Sequence, residues 1–130
     1  MNNKTGKIKL GSFCYFIGGS GFPISLQGKS AGDYPFYKVS DMNLQGNERY
    51  LSKANNYVCL YDVDKYNWKT IPQGAVCFAK VGAALLLNRR RIATSNCLID
   101  NNMMAAVPKE PSMSVFLYWL FQTIDFEDFV

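Results

Sequence analysis

At 130 residues and 14.7 kDa the chain has the length of one domain, since single domains usually span roughly 100–200 residues. Apolar residues make up 48% and charged ones 18%, which excludes a disordered polymer, and the absence of histidine excludes Ser-His-Asp hydrolases, Cys-His proteases and His-ligated metals. The formal charge of +4 is unevenly spread: thirteen of the fourteen Lys/Arg but only five of the ten Asp/Glu fall in residues 1–91, so a body of +8 precedes an end of −4.

Along the chain, short apolar stretches are punctuated by Gly, Pro and Asn. Ile8–Leu10 and Ser12–Ile17 are each brief, and the second reads as a strand or a single helical turn. Gly18-Gly19-Ser20-Gly21-Phe22-Pro23 is a turn-rich loop, because glycine allows positive φ and Pro23 removes a donor. Tyr34–Val39 reads as a strand after the Gly32-Asp33 turn, and Ser40–Tyr57 is polar and mixed with one helical turn around Ser52–Asn55. Ile71-Pro72-Gln73-Gly74 is a turn with Pro at its second position, leading into an Ala75–Lys80 strand. Gly82 breaks that run, Ala83–Asn88 resumes it, and Arg89–Arg91 joins it to Ile92–Thr94. Cys97–Val107 contains a further strand. Pro111 then opens a helix over about 112–123, with Val115, Phe116, Trp119, Leu120 and Thr123 at helical spacing. The sum is an α+β chain: a single domain, residues 1–130, with a mostly antiparallel, twisted β-sheet or partial barrel and few short helices.

The longest apolar run, Val115–Phe121, is seven residues, far short of the ~20 that span a bilayer. Met1-Asn2-Asn3-Lys4 leads into no hydrophobic stretch, so the expectation is a cytoplasmic protein. Cys14, Cys59, Cys77 and Cys97 lack the paired spacing of a zinc or CxxC motif and each has apolar neighbours, which reads as reduced, buried cysteine. No metal is expected.

Phe16-Ile17-Gly18-Gly19-Ser20-Gly21 has the composition of a cofactor loop, but Phe22-Pro23 follows instead of a helix start and no Lys-Ser/Thr completes a phosphate cradle. A surface turn accounts for it better, and no cofactor is expected. Asp62-x-Asp64-Lys65 falls on an edge or loop and, with Asp125, Glu127 and Asp128, reads as solvated charge; no catalytic constellation emerges. The basic residues carry more. Asn88-Arg89-Arg90-Arg91 follows Lys80 across Gly82, and Lys29 and Lys38 flank a Gly-rich turn beside Tyr34, Tyr37 and Ser40. Arginine forks onto guanine or phosphate, Asn pairs with adenine, and basic groups among aromatics and hydroxyls suit a nucleic-acid surface. The bland alternative, a solvated arginine turn, fits those three residues equally well, and if 75–80 and 83–88 form a hairpin, Lys80 and the arginines need not lie together.

At these residues the sequence resembles a known family. Lys9-Leu10-Gly11-Ser12, Ile17-Gly18-Gly19-Ser20-Gly21-Phe22-Pro23 and Gly32-Asp33-Tyr34-Pro35-Phe36-Tyr37-Lys38-Val39-Ser40-Asp41-Met42 resemble the opening of a target-recognition domain of the type I restriction–modification DNA specificity subunit. Ile71-Pro72-x-Gly74-Ala75-Val76-x-Phe78-Ala79-Lys80-Val81-Gly82-Ala83 looks like the family's second block. Asn88–Ile92 and Ile99–Met104 look like its continuation, and Phe116–Leu120 like the helix near its end. The likeness runs in order over residues 8–124.

It implies a reader of one half of a bipartite double-stranded DNA target that performs no catalysis. A second recognition domain would read the other half, a modification (methyltransferase) subunit would bring S-adenosylmethionine, and a restriction subunit would cleave. The chain departs from the pattern by ending at Val130, where the family's long paired helices begin, which reads as an isolated or truncated domain with Asp125–Asp128 as a stub. The resemblance assigns DNA contact to Lys38 and Ser40 in the first block and to Lys80, Asn88, Arg89, Arg90 and Arg91 in the second; Lys29 joins them on chemistry alone. The alternatives are the recognition domain of a fused restriction–methylation enzyme, a methyltransferase fragment using Phe16–Gly21, and a protein-interaction module with an incidental basic loop.

Overall fold

A computed structural model describes residues 12–80 and 89–122. The readings of Ile8–Leu10, Ala83–Asn88, Thr123 and Asp125–Asp128 lie outside the described residues. Among the described residues eight strands form two sheets, with two α-helices and three 3-10 segments, so the α+β reading holds. The strands are β1 (Cys14–Gly18), β2 (Tyr34–Tyr37), β3 (Tyr50–Leu51), β4 (Tyr57–Val58), β5 (Val76–Ala79), β6 (Arg90–Ala93), β7 (Leu98–Ile99) and β8 (Met103–Pro108). The helices are α1 (Leu60–Tyr66) and α2 (Ser114–Gln122).

The larger sheet has the order β1-β8-β5-β6-β3 and is antiparallel except where β3 runs parallel to β6. Its strands β5 and β8 are apolar on both faces, as strands covered on both sides must be. Period-2 alternation sorts their side chains. Cys14, Val76, Phe78, Ile92 and Ala106 meet Leu117, Tyr118 and Phe121 of α2. Cys77, Ala79, Ala93, Ala105 and Val107 face the smaller sheet, β4-β2-β7, through Tyr37 and Ile99. The outer side of that second sheet holds Phe36, Val58 and Leu98 against Val63 and Trp68 at α1. Phe36 stacks on Phe22 at 3.8 Å between ring centres and meets Trp68 edge-on at 5.0 Å.

Several local expectations are corrected. Ser52–Asn55 forms no helical turn; the polar stretch instead holds a 3-10 segment over Val39–Asn43 and the short β3. Asp62 and Asp64 are on helix α1 rather than an edge or loop, because Asp33 Oδ2 accepts the Leu60 amide at 2.7 Å and Asn67, at φ 53°, closes the helix in the left-handed region. The turn before β5 is shifted by one residue. The Ala75 amide donates to the Pro72 carbonyl at 3.2 Å and Gly74 takes φ 93°, so Pro72 stands first in the turn and Gly74 third. Arg90 and Arg91 lie within β6 rather than in a junction.

Helix α2 is present where the periodicity places it, but its face is turned. Leu117, Tyr118 and Phe121 are buried, whereas Val115, Phe116 and Trp119 are each almost half exposed. The guanidinium of Arg49 lies 5.0 Å above the Trp119 ring and covers part of this outer face.

Candidate nucleic-acid interface

The ends of β1 and β5 and the starts of β6 and β8 lie side by side, through the pairs Gly18↔Met104, Ala79↔Met103 and Phe78↔Arg90. Of the sequence-predicted residues, Lys38, Ser40, Lys80 and Arg89 stand on segments that lead to this one end of the larger sheet. Lys80 continues β5 and its amide donates to the Asn102 carbonyl at 3.0 Å. Arg89 precedes β6 and its guanidinium donates to Asn43 Oδ1. Lys38 and Ser40 reach the same end because β2 delivers them: the Tyr37 carbonyl accepts the Asp100 amide at 3.0 Å, one residue before Lys38. Antiparallel β5–β6 pairing brings Arg89 level with Ala79, one residue before Lys80, and alternation puts Lys80 on the Phe78 side of the sheet and Arg89 on the Arg91 side.

The 38–43 segment is held by its own polar groups. Asp41 Oδ2 accepts the Lys38 amide at 2.8 Å, and Asp41 Oδ1 accepts from Asn55 at 3.3 Å. Burial raises the Asp41 carboxyl above its ordinary value of 3.8, a shift that the Lys38 amide only partly offsets. Buried Asn47 ties this segment to the next: its Nδ2 donates to the carbonyls of Asp41 and Lys53, and its Oδ1 accepts the amides of Ser52 and Lys53. Lys38 Nζ donates to Gln27 Oε1 at 3.2 Å, so its ammonium is positioned rather than free-swinging. Ser40 is exposed.

The three arginines separate into different roles. Arg90 is 1% exposed, on the same side of β6 as Ile92, which is packed against α2. Arg91 points to the opposite side, where its Nε and Nη2 grip the Met42 carbonyl at 3.3 and 3.0 Å. Burial draws the Arg91 guanidinium below its ordinary pKa, with Arg89 adding like-charge repulsion. Arg89 is half-buried and contacts an exposed Asn43 side chain. Asn88 lies outside the described residues. Lys29 is exposed but belongs elsewhere, its carbonyl accepting the Tyr57 amide of edge strand β4. Of the two aromatics paired with the lysines, Tyr37 is buried and donates to the Leu51 carbonyl at 3.1 Å, while Tyr34 is half-buried.

The Gly-rich loop has a structural reason. A Cβ on Gly19 would come within 1.7 Å of the Asp100 carbonyl oxygen, so the glycine permits two backbones to touch. The contact brings Ser20 beside Asp100, with the Ser20 amide donating to the Ile99 carbonyl at 2.9 Å. The facing turn, Asp100 to Met103, exposes Asn101 and Asn102 between Ser20 and Lys80. The sequence reading missed Asn43, Asn101 and Asn102; polar residues inside the Asp41–Asn43 and Asp100–Asn102 turns were the available signal. Among the described residues no cluster of three or more His, Cys, Asp or Glu could hold a metal, and no helix is long and apolar enough to cross a membrane. Cys14, Cys77 and Cys97 are buried, and burial pushes the Cys97 thiol up to about 12.

No protein-family model and no curated protein matches the chain. Solved structures do. A chain from a type I R-M system, studied for its complex assembly and conformational transition, superposes with a TM-score of 0.64 at 16% identity, covering 92% of this chain and 27% of its own. The HsdS subunit from Thermoanaerobacter tengcongensis gives 0.59 at 16% identity over 91% of this chain and 28% of its own. The type I restriction-modification S subunit from M. genitalium gives 0.57 at 13% identity over 93% and 28%. The chain thus shares the fold of one portion of each of these chains and spans little more than a quarter of their length.

Proposed function

We propose that this chain is a non-catalytic target-recognition domain, which binds double-stranded DNA and reads one half of a bipartite target for a type I restriction–modification complex. The observation that carries the proposal is the gathering of Lys38, Ser40, Lys80 and Arg89 around one sheet end of a fold shared with type I specificity subunits. Lysine and arginine neutralise phosphate, and hydroxyl and amide side chains beside them can address base edges, so the end has the chemistry of a duplex-binding surface. Arg90 and Arg91 support that end from within. Modification and restriction subunits, and a second recognition domain, are the partners such a role requires.

The test is duplex binding by the wild-type chain and by Lys80→Ala/Arg89→Ala. The double variant should keep its melting temperature and lose most of its affinity. Equal affinity in the two proteins would count against this surface. Calorimetry with S-adenosylmethionine addresses the methyltransferase alternative: micromolar binding by the isolated chain would replace this account with that one.

A further inference from the structure

Between Ser20 and Lys80 the sheet end projects a turn that carries no charge on its exposed side chains. Asp100 is itself buried and builds the turn. Its Oδ1 accepts the Asn102 amide at 2.8 Å, its carbonyl accepts the Met103 amide at 3.0 Å, and its own amide donates to Tyr37. Gly19 packs against the Asp100 backbone from one side, and the Asn102 carbonyl is held by the Lys80 amide from the other. Five contacts thus fix the backbone of a turn whose two outward side chains, Asn101 and Asn102, are left to solvent.

We infer that Asn101 and Asn102 are base-reading residues, selecting adenine within the half-site, an inference that rests on the DNA-binding role proposed above. A carboxamide presents a donor and an acceptor side by side and matches the N6/N7 edge of adenine in the major groove. A lysine next to it can pin the adjoining phosphate and set the register, while a rigid turn spares the ordering cost that a mobile loop would incur on binding. Charge at this end supplies affinity for any duplex. The neutral amides supply the choice among duplexes.

The experiment selects bound molecules from a pool of random duplexes with the full 130-residue wild-type chain, Asn101→Ala, Asn102→Ala and Lys80→Ala. Asn101→Ser and Asn102→Ser serve as second variants should either alanine protein melt early. The expected result is an A·T preference at one or two positions in the wild type. That preference should fall by roughly tenfold or more in an Asn variant, while affinity for unselected duplex and its salt dependence stay unchanged. Lys80→Ala should do the reverse, weakening all duplexes alike and keeping the preference. Asn variants that retain the full preference, or that lose affinity uniformly over all sequences, would overturn the inference. A wild type that binds duplex with no preference overturns it and leaves DNA binding standing; a wild type that binds no duplex removes the underlying role as well.

Discussion

At the scale of single residues, Arg89, Arg90 and Arg91 show how neighbours in sequence become different objects once a strand alternates its faces. Arg91 donates twice to the Met42 carbonyl, so Arg91→Ala strips partners from a carbonyl in a partly buried place and should cost about 1–3 kcal/mol, read as a lower urea midpoint. Arg90→Ala removes a side chain from the packed interior and should be at least as damaging. Arg89→Ala should leave the midpoint within about 0.5 kcal/mol and act on DNA affinity instead. A triple alanine variant would confuse the two effects. Asp41 makes a separate prediction. Because burial raises its carboxyl, the folded chain holds a proton between the ordinary value of 3.8 and the raised one that the unfolded chain has released. The stabilising contribution of this group is full below the unfolded pKa and is lost as pH rises through the folded one. Asp41→Asn, which keeps an acceptor for the Lys38 amide, should therefore gain on the wild type as pH is raised from about 4 to about 7 in matched urea titrations.

Among the elements, the sheet was legible in the sequence and its partners were less so. Ala75–Lys80 and Tyr34–Val39 carry continuous β-rich residues between turn signals, and they became β5 and β2. Helix α1 was missed because Tyr61-Asp62-Val63-Asp64 alternates as a strand does; the distant Asp33 carboxylate caps it as a helix. In α2 the outer and inner faces are both apolar, so periodicity could not say which one meets the sheet. Phe121→Ala should cost about 3–5 kcal/mol, while Trp119→Ala, half exposed, should cost far less; thermal melts of the pair check the orientation. The Gly18–Gly21 loop reads in the sequence as a surface turn, but what requires its Gly19 lies in Asp100, about eighty residues on. Gly19→Ala must push two backbones apart and should destabilise by about 1–3 kcal/mol or more, whereas Gly21→Ala, with open space around its Cβ position, should be tolerated.

On the scale of the whole molecule, the fold puts its cationic residues and its apolar helix face on different elements. Lys38, Ser40, Lys80 and Arg89 converge on one sheet end through β2, β5 and β6, an arrangement no spacing in the sequence announces because it depends on the Phe78↔Arg90 register and the Tyr37–Asp100 hydrogen bond. Lys29, chosen for its chemistry, falls beside β4 instead. In the proposed role such a surface would act by releasing counterions from duplex DNA, so the signature of that role is salt. The most direct test is the duplex affinity of the chain over a range of salt concentrations. Three phosphate contacts, one each for Lys38, Lys80 and Arg89, predict a slope of log K against log[salt] of about −2 to −3, reduced by about one in Lys80→Ala and again in Arg89→Ala. A slope near zero, or one that both substitutions leave unchanged, would contradict the account.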